Sequence, residues 1–60
     1  MRSCLVTVYT VEVFYEDARD TIGLYRTRAS AEKARDEAVQ VYGDIAGYRY
    51  TDIFETLLRD

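Results

Sequence analysis

The chain has 60 residues, of which 48% are hydrophobic, and a formal net charge of −3 from 11 acidic and 8 basic side chains. A chain this short buries only about 60% of its unfolded surface, so residues 1–60 are predicted to form a single domain with one core. The acidic balance argues against a protein that binds nucleic acid by neutralising phosphates. A single cysteine, Cys4, and the lack of histidine exclude an internal disulfide and a histidine zinc site.

Small domains gain stability from disulfides, metals or association, and this composition favours association. The chain is therefore expected to bind itself as a homo-oligomer, and no metal or cofactor is expected. No apolar stretch approaches the roughly 18 residues that a membrane span needs, so no membrane contact is expected. The unpaired Cys4 is typical of a reducing compartment, which predicts a cytoplasmic protein.

The first predicted element is a strand from Cys4 to Glu16, which is rich in β-branched and aromatic residues. Alternation places Leu5, Thr7, Tyr9, Val11, Val13 and Tyr15 on one face, and Cys4, Val6, Val8, Thr10, Glu12 and Phe14 on the other. Both faces are largely apolar. Three interpretations fit this pattern. The strand is covered on both sides, or a β-bulge near Thr10 swaps its two faces midway, or it is a central strand with one face that mixes polar and apolar side chains.

A polar loop and a shorter strand follow, which together predict a hairpin. The loop covers Glu16–Asp20, and its three carboxylates lack the spacing of a calcium loop, so it is interpreted as a solvated turn. The second strand is predicted over Thr21–Thr27. Gly23 within it indicates a bulge or a close packing contact.

A helix is predicted over Arg28–Tyr42, where the period of apolar residues changes from two to about 3.6. Its inner face consists of Ala31, Ala34, Ala38 and Val41, with Tyr42 beside them. Thr27 is a candidate N-cap, and Ser30 is the alternative. Gly43 is expected just past the helix end.

The last segment, Tyr48–Leu58, fits two interpretations. As a strand it alternates Tyr48, Tyr50, Phe54 and Leu58 against Arg49, Thr51, Ile53 and Leu57; as a helix capped by Thr51 it has the apolar stripe Ile53, Phe54, Leu57 and Leu58. The strand is favoured by its Tyr and Thr content, and because a lone hairpin is a weak platform for a helix.

The predicted fold is α+β: a three-stranded antiparallel sheet in the order 2-1-3, of topology β-β-α-β, with one helix packed on one face. The alternative is a β-hairpin followed by two helices. In the favoured fold, the first strand lies in the middle of the sheet. The sheet face opposite the helix then has nothing in the chain to cover it.

Two short motifs carry a resemblance to a known group of proteins. They are Ile22-Gly23-Leu24-Tyr25-Arg26-Thr27, before the helix, and Ser30-Ala31-Glu32-Lys33-Ala34, at its start. In these motifs the chain resembles small uncharacterised domains of bacteria and their phages. The resemblance implies a β-β-α-β fold and a phage or mobile-element origin, and it implies no catalytic residues.

Candidate site residues come from an excess of tyrosine, because six tyrosines accompany two phenylalanines and no tryptophan. Tyrosine is enriched at interfaces, although it also favours strands. The binding residues nominated on this basis are Tyr9, Tyr25, Arg26, Tyr48, Arg49 and Tyr50. A catalytic Cys4 lacks a histidine base, and a chain this small offers no deep cleft, so an enzyme is not expected.

The favoured function is a small, non-enzymatic protein-interaction module that is oligomeric and binds another protein, such as a phage-encoded accessory protein or inhibitor of a host protein. The alternative is an oligomer that binds a nucleotide-like ligand in an intersubunit pocket, with tyrosine rings stacking a base and Arg26 or Arg49 holding a phosphate. A third possibility, single-stranded nucleic-acid binding on an aromatic sheet face, is disfavoured by the acidic balance.

Overall fold

The chain folds into a three-stranded antiparallel sheet with one helix on one face, in a computed structural model that describes residues 5–59. Its elements are β1 (Leu5–Tyr15), β2 (Arg19–Tyr25), α1 (Arg28–Tyr42) and β3 (Tyr48–Arg59). The strand order is β2-β1-β3, which confirms the predicted fold and topology. The alternative with two helices is wrong. Cys4, where the first strand was predicted to begin, lies outside the described residues.

The central strand, β1, pairs with β3 along its whole length and with β2 over part of it. The β1–β3 pairing runs from Leu5 opposite Arg59 to Tyr15 opposite Tyr48. It keeps one register as far as Phe14, so the two faces of β1 alternate as predicted, and the alternative of a bulge near Thr10 in β1 is wrong.

The hairpin loop is shorter than predicted. Arg19 and Asp20, expected in the loop, pair with Phe14 and Val13 of β1. A hydrogen bond from the Tyr15 backbone N–H to the Ala18 carbonyl, 2.7 Å long, closes the turn. This tight closure explains why β2 begins at Arg19 instead of Thr21. The strand ends at Tyr25 instead of Thr27 because Thr27 is the N-cap of the following helix.

An irregularity in β2 lies beside Gly23, where the sequence indicated a bulge. Val11 pairs with Gly23 while Glu12 pairs with Thr21, so Ile22 is an extra residue without a partner opposite. In a regular register Ile22 would share the face of Glu12. The bulge instead places Ile22 beside the helix, where it lines one concave surface with α1.

The helix bounds agree with the prediction because both ends have the expected chemistry. The Thr27 side-chain oxygen accepts a 3.1 Å hydrogen bond from the Ser30 backbone N–H, which identifies Thr27 and not Ser30 as the N-cap. Gly43 follows the last helical residue, and its N–H donates to the Val39 carbonyl at 2.9 Å. A β-carbon at position 43 would lie 2.4 Å from that carbonyl oxygen, so the close approach requires glycine.

The core between sheet and helix is small. Its buried residues are Val11 and Val13 of β1 and Ala31 and Ala38 of α1. Val8, on the opposite face of β1, is also buried. Val41, predicted on the inner face of the helix, is 67% exposed because it overhangs the edge strand β2 instead of the sheet centre.

Beyond the end of β2, the strands β1 and β3 continue as a two-stranded arm. β2 ends at Tyr25 opposite Tyr9, while β1 and β3 remain paired through residues 5–8 and 56–59. The arm is apolar on both faces, and Leu57 and Leu58 are 59% and 44% exposed. A two-stranded ribbon is marginally stable in water, so the arm gains from a further packing partner.

Candidate interaction surface

The nominated residues at the end of β2 lie on the helix side of the sheet. Tyr9 and Tyr25 are directly opposite each other in the β1–β2 pairing. The Tyr25 ring lies over Gly23, since a β-carbon there would come within 2.8 Å of the Tyr25 hydroxyl oxygen. Tyr25 therefore fills the space that Gly23 leaves, which is a structural role. Arg26 follows in the exposed connection to α1.

The other three nominated residues lie together at the start of β3. Tyr48, Arg49 and Tyr50 line a shallow groove of about 560 Å³ with Glu16 and Gly47. A second register irregularity occurs here, because Phe14 pairs with Tyr50 while Tyr15 pairs with Tyr48. Arg49 is the extra residue. Tyr48 therefore shares the helix face with Tyr15, and the predicted placement of Tyr48 and Tyr50 on one face is wrong.

The two groups of nominated residues are far apart in the sheet. Along β1, the first group lies at Tyr9, which pairs with Tyr25. The second group lies at Tyr15, which pairs with Tyr48. Six residues of extended strand separate them, which is about 20 Å. Arg26 and Arg49 therefore do not line one pocket within a single chain.

An aromatic cluster lies on the sheet face that α1 leaves uncovered. Phe14 and Tyr50 stack with ring centroids 4.7 Å apart, and Phe54 meets Phe14 edge to face at 5.9 Å. Tyr50 is 50% exposed and Phe54 39%. Of these three residues, only Tyr50 was among the binding residues predicted from the sequence. Phe14 and Phe54 could have been found from the alternation of β1 and β3, which places both on the apolar face opposite Val11 and Val13.

This uncovered surface is called the open face. Five rows of side chains cross it, numbered from the loop end towards the arm according to the strand pairing. The first to fifth rows are Arg19, Phe14 and Tyr50; Thr21, Glu12 and Asp52; Leu24, Thr10 and Phe54; Val8 and Thr56; and Val6 and Leu58. Leu24 is 57% exposed and Leu58 44%. Apolar side chains are thus exposed at both ends and at the centre of the open face.

Charge on the open face is concentrated in its second row. Glu12 and Asp52 are directly opposite in the β1–β3 pairing, an arrangement in which like charges repel. The Arg19 guanidinium lies 3.7 Å from the Glu12 carboxylate and 6.0 Å from the centre of the Phe14 ring. The Asp52 carboxylate accepts a 2.8 Å hydrogen bond from the backbone N–H of Ile53. The Arg19 guanidinium thus partly neutralises the charge of Glu12. The Asp52 carboxylate takes up the backbone N–H of Ile53 in the edge strand β3.

The helix side of the sheet carries a group of tyrosines at the loop end. Tyr15 lies opposite Tyr48, whose hydroxyl hydrogen-bonds the Thr51 hydroxyl at 2.9 Å. Partial burial raises the pKa of the Tyr15 hydroxyl above its ordinary value of 10.0, and the Asp20 carboxylate raises it further. Ionisation of the Tyr15 hydroxyl is therefore harder than that of a fully solvated tyrosine.

Two other kinds of site are absent from residues 5–59. No group of three His, Cys, Asp or Glu side chains there is arranged to hold a metal ion. The one helix in that range is too short and too polar to cross a membrane.

No protein-family model, curated protein or solved structure matches the chain.

Proposed function

We propose that the chain is a small, non-enzymatic protein-interaction module that binds through the open face of its sheet. The observation that carries the proposal is the cluster of Phe14, Tyr50 and Phe54, whose rings pack on one another while Tyr50 stays 50% and Phe54 39% exposed. Aromatic side chains supply large contact areas at low entropic cost and dominate binding energy at interfaces.

The surroundings of the cluster match the anatomy of a binding surface. Apolar Leu24 and Leu58 extend the cluster towards the arm, and Arg19 lies beside Phe14. Polar Thr21 and Thr56 lie at the sheet edges. Exposed aromatic and apolar side chains on the edge strands thus lie beside polar ones, and enrichment in aromatic residues is typical of protein–protein interfaces. A phage-encoded accessory protein or inhibitor of a host protein fits this size and surface.

The test compares two aspartate substitutions of equal charge change. Phe54→Asp alters the centre of the open face, whereas Val41→Asp alters a helix residue that is 67% exposed. Circular dichroism first establishes that both variants fold. Light scattering and affinity capture with the tagged chain as bait then report association with itself and with other proteins.

We expect Phe54→Asp to lose the associated species and Val41→Asp to keep them. A folded Phe54→Asp variant that keeps both the oligomer and the captured proteins of the wild type would remove the basis of the proposal.

A second function is favoured by one observation, the groove lined by Tyr48, Arg49 and Tyr50. In an oligomer this groove could hold a nucleotide-like ligand, with a ring stacked on Tyr50 and a phosphate on Arg49. The Glu16 carboxylate lines the same groove and repels phosphate, which makes this the weaker candidate. A thermal shift with nucleotides that disappears in Arg49→Gln would favour it, and no shift with any nucleotide would count against it.

A further inference from the structure

The open face is compatible with one occupant whose chemistry is fully known, a second copy of the chain. We infer that two copies of the chain pack open face to open face, with their β1 strands antiparallel. The two-fold axis that relates the copies lies between the two sheets. It runs perpendicular to the strands and passes through the third row. The inference rests on the proposed function and identifies the partner of the same surface.

The symmetry places the third row on itself and the first row on the fifth. Phe54 then meets Phe54 of the second copy near the axis. At the two ends, Phe14 lies over Val6 of the second copy, and Tyr50 lies over its Leu58. The exposed Tyr50 and Phe54 of one copy thus meet the exposed Leu58 and Phe54 of the other, while Phe14 and Val6 are half-buried within their own sheets. The arm of each copy covers the aromatic end of its partner.

The same symmetry keeps the acidic rows apart. The second row lies over the fourth, so Asp52 faces Thr56 of the second copy, whose hydroxyl can donate a hydrogen bond to the carboxylate. Glu12 lies over Val8, which is buried, and keeps the Arg19 guanidinium of its own chain at 3.7 Å. The two acidic rows are offset by four residues, which is about 13 Å along the strands.

The other aligned arrangement, with the two β1 strands parallel, is disfavoured by charge. Its axis runs along the strands and places each row on the same row of the second copy. Glu12 would then face Glu12, with Asp52 beside it in both sheets. Four carboxylates would meet at a sheet separation of about 10 Å, in a contact that excludes water and strengthens their repulsion.

Pairing of two β3 edge strands is also disfavoured. The Ile53 backbone N–H, in the middle of the strand, already donates to the Asp52 carboxylate at 2.8 Å. An incoming strand would have to displace this bond and approach the carboxylate. Charged side chains on an edge strand protect it against such pairing.

The size of the open face is sufficient for a weak dimer. The patch is about 30 Å long, and it is about 15 Å wide over the first three rows and about 10 Å wide over the last two, which β2 does not reach. Two such patches overlap mainly through β1 and β3 and bury less than about 1,000 Å², the size of weak and transient interfaces. The dimer is therefore expected to dissociate on dilution.

The test is a distance measurement between spin labels in the full chain. Cys4 is replaced by serine and Asp17→Cys in the exposed loop carries a nitroxide. Asp17 lies seven residues beyond the third row, so the antiparallel dimer predicts a distance of about 45 Å between labels, and the parallel dimer predicts less than about 25 Å. Phe54→Asp on the labelled background serves as the control, because it should abolish the dimer and with it the distance.

The outcomes separate the inference from the proposed function. A distance near 45 Å that disappears in Phe54→Asp supports both. A short distance, or a strictly monomeric chain whose foreign partner is lost in Phe54→Asp, overturns the inference and leaves the proposed function standing. A dimer distance that survives Phe54→Asp places the interface elsewhere and overturns both.

Discussion

Phe14 of β1 and Tyr50 of β3 are directly opposite in the sheet, and their rings stack within 15° of parallel on the face that the helix leaves open. The strand pairing fixes both backbones, so the two rings are held in place before any partner arrives. A preorganised aromatic pair loses little side-chain entropy on binding, which favours its use as an interface anchor.

Tyr50→Ala removes one ring of this stack. We expect the monomer to lose about 1 kcal/mol of stability, the usual magnitude for an aromatic pair, and the dimer to weaken as well. Urea unfolding at low concentration measures the first effect, and sedimentation the second. Val39→Ala truncates a residue on the exposed side of the helix that is 44% exposed and should change neither. A dimer equally strong in Tyr50→Ala would show that the stack lies outside the interface.

Ala38→Leu tests the close packing of the helix on the sheet. Ala38 is 3% exposed, and a small side chain there lets α1 lie close to β1. A leucine would push the helix away and cost about 1–3 kcal/mol. Chemical denaturation measures the change, with Val39→Leu at the exposed neighbouring position as control. Unchanged or increased stability in Ala38→Leu would mean that the core has unfilled space at this point.

Gly47→Ala tests the turn before β3. Gly47 has a φ angle of +89°, and its carbonyl accepts a 2.7 Å hydrogen bond from the Glu16 backbone N–H. Alanine in this left-handed region costs about 1–2 kcal/mol. We expect a lower urea midpoint in Gly47→Ala and a smaller decrease in Gly47→Asn, because asparagine tolerates positive φ better. Equal stability of all three chains would contradict the turn geometry.

Tyr15→Phe tests the tyrosine group beside the helix. The raised pKa of Tyr15 means that its ionisation is harder in the folded chain than in the unfolded chain. The stabilisation that neutral Tyr15 gives the folded chain is therefore complete below pH 10.0, its ordinary pKa. This stabilisation is lost as the pH rises through the higher pKa of Tyr15 in the folded chain. Urea midpoints measured on both sides of this value should fall less with pH in Tyr15→Phe than in the wild type. Identical alkaline losses in the two chains would contradict the assignment.

Much of the fold could be predicted because local patterns agree with tertiary structure. The β-branched run of β1 and the alanine period of α1 predict a strand and a helix that the structure contains, and Thr27, one of the two candidate caps, is the N-cap. The face of Tyr48 was missed because the extra residue Arg49 shifts the register, and this shift depends on strand pairing and not on the local sequence. The hairpin loop was missed for a similar reason, since one turn hydrogen bond brings Arg19 into β2.

The candidate site was less predictable than the fold. Tyrosine content predicted Tyr9, Tyr25 and Tyr48 as binding residues, and all three lie on the helix side of the sheet, away from the open face. The proposed interaction surface is better marked by alternation, because β1 is apolar on both faces and α1 covers only one of them. Phe14 and Phe54 follow from that pattern once β3 is known to be a strand.

The most direct test of the central claim, that a second copy covers the open face, is the mass of the wild-type chain in sedimentation equilibrium from micromolar to millimolar concentration. We expect the mass to rise with concentration from the 7.0 kDa of one chain to twice that value, and the Phe54→Asp variant to stay at the mass of one chain. A wild-type chain that remains at 7.0 kDa throughout the range would contradict the claim.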